Sequence, residues 1–194
     1  MKVTKEQAAE NRVALLRAAS RLFRAHGIDG TGVADICKAA GLTHGALYAQ
    51  FKSKEALAAE ALTYGLRRTV KAMIASSNNT KPALQDYLDF CLSRERRDDA
   101  AGGCPMVASA SEIARHGRNI SGSFTDGFED TVAAIEAALP QTGSKEDVRD
   151  RALAIVASTI GGVVVARATM KSNPQLSDRI LKSVRRALEE IAEH

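Results

Sequence analysis

The stretch TGVADICKAAGLTHGALYAQFKSK, Thr31 to Lys54, decides the fold. Val33, Ile36, Cys37 and Ala40 recur at three- and four-residue steps, which places them on one face of a short helix. Gly41 follows where a left-handed residue ends such a helix. Thr43 is placed to cap the next one, accepting from backbone amides that lack a partner. Leu42 and Leu47 flank that cap as a hydrophobic staple and set the angle between the two segments. The pattern is helix, tight turn, helix.

The second helix, expected from His44 to Ala49, is too short to hold alone, so Leu47 and Phe51 must anchor it by packing. Its other face is bare at Gly45 and Ala46, which costs helix propensity and lets a backbone come close. Around that gap stand Thr43, His44, Tyr48 and Gln50, hydrogen-bonding groups with no apolar reason to be together. Such groups reach base edges in a major groove or the phosphates beside it. Ser53 and Lys54 open the next helix, where an ammonium and free amides both favour a phosphate. Thr31 is expected to cap the helix that precedes the turn, within reach of the DNA backbone.

The run GLTHGALYAQFKSKEAL, Gly41 to Leu57, resembles the DNA-binding signature of the TetR family of bacterial transcriptional regulators. The likeness spans roughly residues 10 to 60 and includes an upstream helix ending at Gly27. It implies an all-α homodimer whose N-terminal helix-turn-helix domains bind a palindromic double-stranded operator. It also implies a C-terminal helical domain that dimerises and binds a small-molecule effector, as yet unknown, which releases the DNA. By position in the motif, Thr43, His44, Gly45, Tyr48 and Lys54 inherit DNA contact, with Thr31 and Gln50 beside them. The expected domains are 9–69, with the helix-turn-helix at about 32–51, and 70–194.

Composition agrees with a helical reader of nucleic acid. Aromatics are 4% of the 194 residues and tryptophan is absent, which favours helix over strand. The net charge is +4. Residues 1–54 hold nine Lys or Arg against four acids, so the basic surplus lies in front of a near-neutral body, as in a phosphate binder. The cysteines at 37, 91 and 104 have no paired spacing and nothing resembles a signal peptide, so the chain is expected to be cytoplasmic with free thiols. The longest uncharged stretch, Ala152 to Ala166, falls short of the ~20 residues of a membrane span, so no membrane is expected as a partner.

Residues 1–9 read as a polar arm, followed by a helix from about Glu10 to His26. A long helix from Lys54 carries Leu57, Ala61, Leu62, Leu66, Val70, Met73 and Ile74, and breaks at Ser76 to Asn79. Pro82 starts another helix, Arg94 to Asp99 reads as a loop, Pro105 opens a helix to about His116, and Ser121 or Ser123 opens the next. The helix from about Lys145 to Lys171 carries Gly161 and Gly162 in its middle, each costing ~1 kcal/mol against alanine, so another helix is expected against that bare surface. With the last helix, from Leu176 onward, it could form a four-helix interface between two subunits or the core of a monomer. Symmetric DNA reading favours the dimer.

Cys104 lies before Pro105 at a helix start, where free amides favour thiolate, so a thiol sensor of oxidants or electrophiles is an alternative to a reversible ligand. A small plug in the core is the plainer role for it. Tyr87, Phe90, Met106, Phe124 and Phe128 are candidates to line an effector pocket, or plain core. No nucleophile with its base, no metal-ligand spacing and no phosphate-binding glycine loop stands out, so neither an enzyme, nor a cofactor, nor a metal is expected. A helical protein-interaction adaptor would explain the apolar C-terminal helices, but not the charge asymmetry or the bare-faced short helix.

Overall fold

The computed structural model describes residues 4–76 and 84–193, with side chains described up to Lys71 and again from Leu84. Among the described residues every regular element is helical: α1 (Lys5–His26), α2 (Val33–Ala40), α3 (His44–Tyr48), α4 (Lys54–Ser76), α5 (Leu84–Cys91), α6 (Arg94–Asp98), α7 (Pro105–Ile113), α8 (Arg118–Ala138), α9 (Lys145–Met170) and α10 (Pro174–Glu193). The helices α1 to α3 pack with the start of α4 as an N-terminal helix-turn-helix domain, and α5 to α10 form the helical body. Met73, Ile74, the break after Ser76 and the helix start at Pro82 lie outside the described side chains or residues.

Local chemistry explains most helix ends. Thr4 accepts from the Gln7 amide at 3.1 Å, so α1 begins five residues before the expected Glu10, and residues 5–9 are helix rather than free arm. Gly27, at φ +78°, ends α1 with its amide on the Phe23 carbonyl. The charged run expected as a loop is the short helix α6, because Ser93 caps it by accepting from the Arg96 amide. Arg97 of α6 is buried and donates to Asp178 Oδ1 at 2.7 Å and Ser177 Oγ at 2.9 Å of α10. Helix α8 starts at Arg118, ahead of both serines, with Gly117 as its cap.

One apolar core runs through both parts. Leu15, Ala19, Ile36, Leu47 and Leu57 fill it in the N-terminal domain, and Leu88, Ile120, Val132, Ile155, Val156 and Leu188 in the body. The expected boundary between residues 69 and 70 falls inside α4, which runs unbroken from the one to the other and packs on both α1 and α8. Movement of α4 is therefore shared by both.

The longest helix, α9, is long and apolar enough by length and composition to cross a membrane. Its inner face, with Val148, Ala152, Ile155, Val156, Val163 and Ala166, instead packs on α8 and α10. The two glycines separate cleanly. A Cβ on Gly162 would meet Val184 of α10 at 2.9 Å, the close helix contact anticipated for a bare surface, whereas Gly161 faces open space.

Candidate nucleic-acid interface

The turn before α3 is built by backbone geometry. Gly41 is left-handed at φ 68°, ψ 31°, and its amide reaches the Lys38 carbonyl while the Leu42 amide reaches Cys37. Thr43 Oγ1 then accepts from the Ala46 amide at 3.2 Å, capping α3. Leu47 is fully buried and Phe51 nearly so, so a helix of five residues is held by its inner side alone. Ser53 Oγ accepts from the Ala56 amide at 3.0 Å and caps α4.

The outer side of α3 is open. Thr43, His44 and Gly45 are exposed, and Tyr48 keeps 56% of its surface exposed, unusual for a large aromatic with no neighbour to cover it. A Cβ on Gly45 would meet only Thr43 Oγ1, at 3.8 Å, so nothing in the chain requires this glycine and an external backbone can come close. Lys54 is half-buried at the first turn of α4, six residues along the chain from Tyr48. Four of the seven sequence candidates thus stand exposed on α3 or at its cap.

Thr31 and Gln50 are placed differently. Thr31 is 2% exposed, and its hydroxyl donates to the Gly27 carbonyl at 2.7 Å, so it pins the turn after α1 instead of facing DNA. The cap of α2 is Gly32, whose amide donates to Asp35 Oδ2 at 3.3 Å. Gln50 spends its side-chain amide on the Ala8 carbonyl at 3.2 Å, and its own carbonyl accepts from Arg12 at 2.8 Å. Its role is to lash α1 to the end of α3, a job the sequence did not signal because the partners lie about forty residues apart.

In the body, Tyr87, Phe90 and Cys104 line a small apolar cavity with Cys91, Ile160 and Val163, leaving room for about 10 Å³, less than a drug-sized ligand requires. Met106 is separate, buried in the core, and Phe124 stacks on Phe128 at 6.4 Å along α8. Burial pushes the Cys104 thiol above the ordinary range and outweighs the Val107 and Met106 amides and the arginines 167 and 24, which pull the other way. Arg94 and Arg97, near in sequence, are engaged with Asp178.

Sequence spacing also missed a joint between the two parts. Ligand-capable atoms of Asp29, Glu112 and His116 lie within 4.8 Å of one another, brought together by the α1–α2 turn and the end of α7. Glu112 Oε1 accepts the Asp29 amide at 3.0 Å, and His116 Nε2 stands 3.8 Å from Glu112 and 3.9 Å from Asp29. The carboxylate's bonds to backbone amides make this a structural junction. The i, i+4 pair Glu112 and His116 was its only trace in the sequence.

A capped, sparsely decorated helix held outward by a three-helix support defines a helix-turn-helix DNA-binding transcriptional regulator. Residues 15–61 match the family described as bacterial regulatory proteins, tetR family, and residues 81–177, half of the chain, match the C-terminal domain described as transcriptional regulator LmrA/YxaF-like. The chain belongs to the TetR family, with a body of the LmrA/YxaF kind. It is 28% identical over 173 residues to the HTH-type transcriptional regulator LmrA of Bacillus subtilis, covering 86% of this chain and 92% of that one. The regulator YxaF of the same organism is 27% identical over 171 residues, covering 86% and 90%. In structure it is similar to a TetR regulator from Legionella pneumophila, at TM-score 0.75 and 18% identity over 99% of this chain and 100% of that one. It is also similar to E. coli NemR in its reduced form, at TM-score 0.70 and 18% identity over 90% and 94%. The last two likenesses show the fold.

Proposed function

We propose that this chain is a homodimeric repressor that binds a palindromic operator through α3 and the start of α4 and is released by a small molecule. The observation that carries the reading is the outward face of α3, where Thr43, His44, Gly45 and an uncovered Tyr48 are exposed just ahead of Lys54 at the start of α4. In this reading Tyr48 and Lys54 hold phosphates, while Thr43 and His44 lie nearest the base edges and Gly45 lets the duplex approach.

Dimerisation is supported by α9 and α10. Ala154, Ala157, Ser158, Gly161, Val165 and Ala168 form one exposed stripe of small or apolar residues at three- and four-residue steps, and Val165 is 50% exposed. Such a stripe admits a second helix at close range, and a four-helix contact between two chains covers it. A two-fold pair would present two α3 helices to successive major grooves, about 34 Å apart. Domains 9–69 and 70–194 then divide the labour, with α4 linking reader to body. The protein acts in the cytoplasm, where its operator is.

The test is a gel shift and footprint with the DNA flanking the protein's own gene. A symmetric footprint whose affinity falls steeply with added salt is expected. Binding indifferent to salt and to duplex sequence would reject the operator reading.

A further inference from the structure

Away from α3, a groove of about 500 Å³ opens between α1, α4 and the segment joining α6 to α7. Arg17, Arg21, Arg24, Arg68 and Arg96 line it, with Asp99 as the one carboxylate in its wall. Five arginines elsewhere find acids, Arg12 with Glu60, Arg94 and Arg97 with Asp178, Arg149 with Glu129 and Arg185 with Asp89, while others such as Arg151 and Arg167 bond backbone carbonyls; what sets the groove apart is that five guanidiniums converge on one space. Among the described residues none of the five groove arginines is in an ion pair.

Their hydrogen bonds go to neutral oxygens instead. Arg24 Nε donates to the Ala101 carbonyl at 2.6 Å and its Nη1 to Ser20 Oγ at 3.0 Å. Arg68 Nη1 reaches Tyr64 Oη at 3.3 Å, and Arg96 Nη1 the Gly102 carbonyl at 3.1 Å. Asp99 spends Oδ1 on the Gly102 amide at 2.7 Å. Arg24 is half-buried, and burial works against its charge, which Asp99 offsets only in part. A partly desolvated guanidinium without a carboxylate in contact is stabilised by an anion that arrives from outside.

The groove is built for close approach. Arg17, Arg21 and Arg24 recur at four and three residues along α1, so they share a face. A Cβ on Gly65 would meet Ser20 Oγ at 2.5 Å and Arg24 Nη1 at 2.9 Å, so the glycine lets α1 and α4 meet at the floor. Arg68 is fourteen residues along α4 from Lys54, about 21 Å at 1.5 Å per residue, which sets this end of the groove well back from a duplex on α3.

We propose that this groove binds a small polyanion, a molecule bearing two or more carboxylate or phosphate groups, as an effector. Its anion joins guanidiniums of α1 and α4 to Arg96 of α6 and so changes how the reading end is held against the body. The effector role rests on the ligand-release reading above; the binding site does not. A volume of about 500 Å³ and a net charge of five cations against one acid suit a multiply charged metabolite better than an apolar drug.

The test is calorimetric titration of the full chain at low salt with citrate in one arm and inorganic pyrophosphate in the other, on wild type and on Arg21→Gln/Arg68→Gln. Both positions are exposed, and circular dichroism checks that the variant folds. Saturable binding of at least one probe, one per chain, weakened by roughly tenfold or more in the variant, is expected. The better probe tells carboxylate from phosphate chemistry. The variant's operator affinity without probe should equal wild type, and the probe should release operator from wild type alone. No saturable binding of either probe, or equal binding by the variant, overturns the site. Weaker operator binding by the probe-free variant overturns it as well, by giving the groove to the DNA backbone. Probe binding without operator release strikes the effector role only, whereas release of both proteins alike by an uncharged compound keeps ligand release and removes this groove from it.

Discussion

The Asp29 backbone amide donates to Glu112 Oε1 across 3.0 Å, tying the turn that leads into the reading helices to the helix that ends in the body. Burial alone would raise the Glu112 carboxyl, but the Asp29 and Ile28 amides and His116 outweigh it and hold it below the ordinary range. A depressed folded value stabilises the native state fully above the unfolded carboxylate value of about 4.3, and that stability is lost as pH falls through the lower folded value. Glu112→Gln is therefore expected to cost about 1–2 kcal/mol in urea unfolding at pH 7. The gap to wild type should close toward pH 3. An unchanged gap would mean the carboxylate's charge is not what holds the joint.

Thr31 and Thr43 are both threonines near the turn, yet they should behave differently. Thr31→Val removes a buried hydroxyl from the Gly27 carbonyl and should cost about 1–2 kcal/mol of stability. Operator affinity of the folded variant should stay within about twofold. Thr43→Ala removes the α3 cap at an exposed position and should weaken operator binding by roughly tenfold at most about 1 kcal/mol of stability. Fluorescence anisotropy with labelled operator and parallel thermal melts separate the two; equal loss of DNA affinity would put Thr31 back at the interface.

What the sequence disclosed and what it hid divide along range. Gly41, Thr43, Ser53 and Gly27 act within four residues of themselves, so caps and turns were legible and the helix-turn-helix with them. Gln50 is engaged by Ala8, 42 residues away across the fold, whereas Thr31 is the exception to range, its hydroxyl turned inward on Gly27 only four residues back because its side of the turn after α1 is buried. The Asp29 and Glu112 joint joins residues 83 apart, and the arginine groove gathers three segments, so no local pattern announces either. Helix α6 was missed for a different reason: five charged residues carry no apolar period, and only Ser93 and the buried Arg97 make them a helix.

Tyr48 and Lys54 give the cleanest probe of the reading surface, since Tyr48 touches little within the chain. Tyr48→Phe and Lys54→Ala should each lower operator affinity by roughly tenfold, with thermal midpoints close to wild type. Lys54→Ala should also flatten the dependence of log affinity on log salt by about one. A variant with the wild-type affinity and slope would remove that side chain from the interface.

The two glycines of α9 predict opposite outcomes from one substitution. Gly162→Ala drives a methyl into Val184 at 2.9 Å and should destabilise the chain by about 1–3 kcal/mol. At Gly161 the same methyl meets nothing, and in a lone chain it should gain up to ~1 kcal/mol of helix propensity. If the stripe is the dimer contact, Gly161→Ala and Val165→Arg should instead shift sedimentation toward the monomer and weaken operator binding with helicity retained. Sedimentation velocity that shows a monomer for wild type, or a dimer for Val165→Arg, places the contact elsewhere.

Cys104 tests how far a helix N-terminus can activate a thiol. The Val107 and Met106 amides and two arginines favour thiolate, but burial outweighs them and pushes the thiol above its ordinary range. Since the thiolate is the nucleophile, alkylation of Cys104 by iodoacetamide at pH 7 should be slower than that of a free cysteine thiol, of pKa about 8.5, by roughly tenfold or more. The rate should climb as pH rises beyond the ordinary thiol range. Operator release by a reversible ligand should then survive Cys104→Ser. Fast alkylation at pH 7, together with release by oxidants that Cys104→Ser abolishes, would show that the cavity opens in solution and would restore the thiol as the trigger.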